Sequence, residues 1–189
     1  MGRSDEAVKE TRNALELDPL TTSSNLQLGW VLYYARRYDE SIAQLKETLE
    51  LTPDYGSAYM ELAWNYAQKR MYPEAVAECQ RAVSLASEQF VLASCGDVYG
   101  LAGRRQDALA LLDRLKKMSG QRYVDPYNVA WLYDGLGDNN RTMEWLERAY
   151  RERSASLYGL KIEIWSDRLR TDPRFQDLLR RVGLLNNAF

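Results

Sequence analysis

Apolar residues recur at three- and four-residue spacing along this chain in short helical runs, and the runs repeat in register. Gly29, Ala63, Gly96 and Ala130 lie 34, 33 and 34 residues apart. Leu32, Tyr66, Tyr99 and Tyr133 follow these small residues by three positions; Ser41, Ala75, Ala108 and Thr142 by twelve; Leu45, Cys79, Leu112 and Leu146 by sixteen. A period of about 34 residues with two amphipathic segments per unit predicts an all-α solenoid of antiparallel helix pairs. The small residue lets the paired helix approach, where a large side chain would overpack the contact.

The frame predicts a leading half unit (3–21), four full units (22–55, 56–88, 89–122 and 123–154) and a C-terminal capping segment (155–189). Pro73 suits the first turn of a helix, where a missing N–H costs nothing. Gly103 and Gly137, 34 apart, permit the left-handed backbone that ends a helix. Pro19 and Pro53, also 34 apart, stop the helices before them. In the tail, Asp172-Pro173 reads as a helix cap and first helical residue, with Phe175, Leu178, Leu179 and Val182 on one apolar face. Leu157, Leu160, Ile162, Ile164 and Trp165 are expected to form another helix or turn against the fourth unit. Residues 3–17 read as the second helix of a pair whose first helix is missing. That predicts either a piece of a longer protein or a second copy covering the open face.

Leu28-Gly29, Leu62-Ala63, Tyr66, Tyr99, Tyr133, Ala75, Ala108, Ala82, Ala149, Pro19 and Pro53 together resemble the tetratricopeptide repeat, over about residues 3–154. Ser87, Leu115 and Pro126 depart from its pattern. The resemblance implies a right-handed superhelix whose first helices line a concave groove that holds partner peptides. The tail carries a second likeness. Trp145-Leu146-Glu147, Leu169-Arg170 and Asp172-Pro173-Arg174-Phe175 are similar to the ends of repeat regions in large bacterial signalling and transcription-regulatory proteins. That implies a bacterial, cytoplasmic, regulatory setting.

Trp30, Trp64, Asp97 and Trp131 each follow the small residue by one, so three of the five tryptophans share one repeat position. Helix geometry brings Tyr33, Met60 and Tyr127 to the same stripe. By the family's geometry this stripe is a groove for an apolar or extended partner segment, in which Tyr34 and Asp97 set specificity. The competing reading packs the tryptophans between neighbouring first helices. Repeat domains of this kind that bind the acidic tails of chaperones use Lys, Asn and Arg in the groove. The corresponding positions here are Leu26, Trp30, Glu61, Phe90 and Ser94, which cannot grip two carboxylates.

Composition narrows the chemistry. Histidine is absent, which removes His-based catalytic triads and His-ligated metal sites. Cys79 and Cys95 occupy apolar repeat positions and read as buried thiols. No phosphate loop and no carboxylate pair placed for acid–base work is visible, so no catalytic residue, metal ligand or cofactor is assigned. The net charge is −2, with 25 Lys and Arg against 27 Asp and Glu, and gives no electrostatic case for nucleic acid. Acids are expected on solvated second-helix faces beside bases, as in Glu144 and Arg148. No run is apolar enough for a membrane helix, and no secretion signal is present. The function expected is a noncatalytic protein–protein interaction module. Its alternatives are self-association through residues 3–17 and a small-ligand sensor.

Overall fold

A computed structural model describes residues 2–185, which form ten α-helices and two short 3-10 helices, with no strand among the described residues. They fall into two compact units, divided between Ser87 and Glu88. The first holds α1 (Gly2–Leu17), α2 (Thr22–Tyr34), α3 (Tyr38–Leu51), α4 (Gly56–Gln68) and α5 (Tyr72–Leu85). The second holds α6 (Gln89–Leu101), α7 (Arg105–Ser119), α8 (Pro126–Gly135), α9 (Asn139–Arg151) and α10 (Pro173–Arg181). The 3-10 helices, Ala155–Lys161 and Trp165–Leu169, join α9 to α10.

Each predicted column is buried, because it supplies the contact between paired helices. The hydroxyl column also holds backbone. Ser41 Oγ donates to the Gly29 carbonyl at 2.8 Å, and Asn65 Nδ2 of α4 donates in turn to Ser41 Oγ at 2.9 Å. Helices α2 with α3 and α4 with α5 pair in the first unit, as do α6 with α7 and α8 with α9 in the second. Both cysteines are buried in the core and form no disulfide.

The turn inside each pair is a left-handed C-cap. Arg36, Arg70, Gly103 and Gly137 take φ of 60, 59, 74 and 72° at equivalent positions. In each, two N–H groups reach back over the last helical turn, as in Arg70 N to the Ala67 carbonyl (3.0 Å) and Met71 N to the Tyr66 carbonyl (2.9 Å). Two of the units place glycine there and two place arginine, which carries the steric cost of the left-handed region.

Helix α1 lays Val8 against Leu28 and Leu32 of α2, while Leu17 and Leu20 are 89% and 75% exposed. The tail follows its expected chemistry. Asp172 accepts the Arg174 N–H at 2.9 Å and Pro173 opens α10. Phe175, Leu178 and Leu179 are buried, with Val182 at the edge. The Arg181 guanidinium pairs with Glu147 of α9 and lies 4.7 Å from the Tyr150 ring centroid. One expected pair does not form: Arg148 turns to Glu152, one turn onward, at 2.7 Å rather than back to Glu144. No described helix is long and apolar enough to cross a membrane.

Candidate peptide-binding faces

In the first unit, α2 and α4 bring five of the expected residues together. Trp30 stands edge-on to Tyr34 with ring centroids 4.7 Å apart. Tyr34 meets Tyr33 at 5.3 Å, and Tyr33 meets Trp64 at 5.6 Å. The chain of rings runs from solvent to core. Trp30 is 38% exposed, Tyr34 is half-buried, and Tyr33, Met60 and Trp64 are sealed inside. The tryptophan column therefore divides, with Trp64 serving helix packing and Trp30 remaining open.

The same face hides an acid. Glu61 is buried on α4, and its Oε2 has no hydrogen-bond partner among the described residues. Loss of water pushes its carboxyl well above the usual range, because burial disfavours the charged form. Glu61 Oε2 lies beside Gly29, where an added Cβ would stand at an ordinary contact distance of 3.5 Å.

In the second unit, Tyr127 and Trp131 of α8 are buried. Phe90 of α6 meets Trp131 at 5.3 Å, and Trp165 of the tail stacks over it at 6.1 Å with an interplanar angle of 18°. Trp165 also meets Tyr127 edge-on at 5.5 Å. The tail is tied to the start of α8 as well. Asp125 caps that helix through Oδ1 on the Tyr127 N–H (3.0 Å), and its Oδ2 accepts Ser154 Oγ (2.7 Å) and Ser156 Oγ (2.8 Å). Pro126, a departure from the repeat pattern, is the first residue of that capped helix.

Two carboxylates meet here, buried on first helices rather than on the solvated second-helix faces where acids are expected. Asp97 of α6 and Asp134 of α8 are both buried, and Arg168 Nη2 reaches Asp97 Oδ1 at 3.4 Å and also pairs with Asp134 Oδ2. Burial first, then the neighbouring Asp134 charge, pushes Asp97 up to about 8, with Arg168 opposing. Burial raises Asp134 to about 6, again against Arg168. The acids converge because two glycines let the backbones touch. A Cβ on Gly135 would lie 2.5 Å from the Asp97 carbonyl oxygen, and one on Gly100 would fall on the Gly135 carbonyl.

The sequence reading named Asp97 but missed Asp134 and Arg168. The signal was available at Asp134: its counterparts one residue after the Leu/Tyr column are Tyr33, Ala67 and Gly100, so an acid is out of place there. Arg168 lies outside the repeat frame and carried no such mark.

A model of the tetratricopeptide repeat family matches residues 26–89. No curated protein sequence matches the chain. Among solved structures, a thermophilic tetratricopeptide protein of Thermus thermophilus, TTC0263, is 20% identical with a TM-score of 0.65, over 83% of this chain and 87% of that one. MamA is 19% identical with a TM-score of 0.54, over 83% and 92%. YrrB, described as a tetratricopeptide protein with an unusual peptide-binding site, is 13% identical with a TM-score of 0.51, over 94% and 93%. These likenesses show the fold, which is that of tetratricopeptide helix-pair repeats.

Proposed function

We propose that the chain is a noncatalytic protein–protein interaction module that holds a peptide or protein partner against its first-helix aromatic residues. The observation that carries this is Trp30. It stands open on α2, backed by Tyr34 and Tyr33, while its repeat counterparts Trp64 and Trp131 are packed away. A large aromatic left partly in water on a rigid helix, braced by rings behind it, is the kind of anchor on which interfaces concentrate their binding energy. The fold shared with YrrB, a protein described by its peptide-binding site, supports the same reading. Tyr34 braces the anchor directly, Tyr33 and Trp64 continue the chain of rings behind it, and Met60 is buried on α4. Asp97, Tyr127 and Trp131 belong to the second unit's face. The tail's likeness to bacterial regulatory proteins supports a cytoplasmic role inside a larger signalling protein.

Selection from a random peptide-display library tests the reading. Peptides retained by the wild type are expected to bind Trp30→Ala at least about tenfold more weakly, a loss of about 1.4 kcal/mol, with far-UV circular dichroism unchanged. Equal retention by both proteins, or no enrichment, refutes a Trp30 site. A second reading, self-association, is favoured by the exposed Leu17 at the end of α1 and Leu20 in the turn that follows it. A monomeric mass at high concentration by light scattering rules it out.

A further inference from the structure

We propose that the open groove between α1 and α3 is a docking site for a cationic segment of a partner protein, one that seats an aromatic ring between flanking Lys or Arg side chains. This goes beyond the Trp30 reading and does not depend on it. Leu28 and Leu32, at the bottom of the groove, are each two residues from Trp30, which turns them to the opposite side of α2.

The groove has a volume of about 480 Å³, within the range of ligand sites. Leu28 and Leu32 form its floor, and Leu15, Pro19 and Ala43 stand more open above them. Two departures from the repeat frame coincide there. The first makes room. Leu32 is the aliphatic member of a column that otherwise holds Tyr66, Tyr99 and Tyr133, all buried. Those units fill the position with a ring of their own, and the first unit is a ring short. The second departure sets the sign. Glu47 stands in the column of Arg81, Arg114 and Arg148, so this groove carries an acid where the other units carry a base.

The charge is not neutralised from within. Glu16 of α1 and Glu47 of α3 are exposed along the groove and have no ion pair among the described residues. Arg12, the one base among the lining residues, is held by Glu40 at 2.8 Å. Neither α1 nor α3 has a base in its last turn, so the negative ends of two helices add to the same field. That field attracts a partner's base and repels an acid. A ring on the leucine floor supplies the kind of apolar anchor on which interfaces concentrate their binding energy. A Lys or Arg on either side of it meets Glu16 and Glu47.

The probe is acetyl-Arg-Tyr-Arg amide, titrated into the isotope-labelled full chain and followed by amide chemical shifts, which register even millimolar binding. Shifts are expected on α1 and α3. Affinity should fall at least about tenfold with Leu32→Tyr, which returns a ring to the groove, and about threefold with Glu47→Arg, which restores the base of the column. Both substitutions reproduce what the other units hold, and far-UV circular dichroism should not change. Should Leu32→Tyr not fold, Glu47→Arg and Glu16→Lys carry the test. Acetyl-Glu-Tyr-Glu amide and acetyl-Arg-Ala-Arg amide should each bind at least about threefold more weakly than the probe. Absence of shifts on α1 and α3, or equal binding of all three peptides, overturns the proposal. A doubled mass in light scattering that Leu32→Tyr returns to monomer gives the groove to a second copy and overturns it likewise. Binding that is lost with Trp30→Ala but indifferent to Leu32→Tyr and Glu47→Arg sinks this proposal and leaves the Trp30 reading standing. The peptide-display test of Trp30 is run on a Leu32→Tyr background, where this groove is filled, so the two readings stand or fall separately.

Discussion

Gly135→Ala adds one methyl group where α6 and α8 touch, and its effect can be worked from the contact. The new Cβ would lie 2.5 Å from the Asp97 carbonyl oxygen and 2.7 Å from Asp97 Oδ1, and would overlap Asp97 Cα. Carbon contacts are comfortable near 3.5–4.0 Å, so the helices must part by roughly 1 Å. Two of the three obstacles are backbone atoms, which no rotamer change can clear. Overpacking of this kind costs about 1–3 kcal/mol, and the better helix propensity of alanine returns about 0.5–1 kcal/mol. The net loss is about 2 kcal/mol at the upper part of that range, or about 4–8 °C in melting temperature for a chain of this size. Gly29→Ala is the control. Its new methyl meets Leu45 Cδ2 at 2.7 Å and Cγ at 2.9 Å, a side chain that can shift, so the loss is smaller. Gly100→Ala collides with the Gly135 carbonyl from the opposite helix. Combined with Gly135→Ala it should cost less than the sum of the singles, since one separation relieves both. Urea and thermal unfolding followed by circular dichroism measure all four proteins. A Gly135→Ala chain as stable as wild type, or more stable, would show alanine's propensity gain unopposed and refute the backbone contact that brings the two acids together.

Three further outcomes are expected. Glu61, Asp97 and Asp134 keep protons in the fold that the unfolded chain releases near pH 4, so stability is greatest in mild acid and falls as pH rises toward 8, by up to about 1.4 kcal/mol per pH unit for each such group. Urea midpoints at pH 5 and 7.5 measure the slope, and Glu61→Gln should flatten it; a wild-type midpoint that rises with pH contradicts the burial argument. Trp64→Ala and Trp131→Ala should each lose about 3–5 kcal/mol as buried rings are deleted, while Trp30→Ala loses markedly less; equal losses in chemical denaturation would place Trp30 in the core. Arg70→Gly should raise stability by about 0.5–1 kcal/mol by relieving the left-handed cost, less the extra freedom of an unfolded glycine, and a melting temperature that falls would show the arginine side chain to hold the turn.

The repeat frame made the helix pairs legible because small residues and hydroxyls are demanded at fixed offsets wherever two helices touch. Gly103 and Gly137 announced the left-handed caps, whereas Arg36 and Arg70 adopt the same backbone without any local sign of it. Pro126 looked like a defect in the fourth unit and is instead the start of a helix capped by Asp125. The exposure of each tryptophan could not be read from its column, because it depends on neighbours outside the column. Tyr33 seals Trp64, and Trp165, far along the chain, covers Trp131. Acids were expected on solvated second-helix faces, and the three buried ones, Glu61, Asp97 and Asp134, lie instead on first helices, the two aspartates where glycines let two backbones touch.

Among the described side chains of α1, Val8 alone is fully buried, and the helix packs on α2. Burying one valine contributes about 1.5–3 kcal/mol, with Leu15 partly covered beside it and exposed ion pairs from Arg12 and Asp5 adding little. In an array whose elements touch mainly their neighbours, such an end opens by itself. Amide protons of α1 should exchange well ahead of those in α4, and the calorimetric enthalpy of melting should exceed the van't Hoff value. Each opening bares Leu28 and Leu32, so loss of soluble chain on storage is expected to track α1 amide exchange rather than melting temperature.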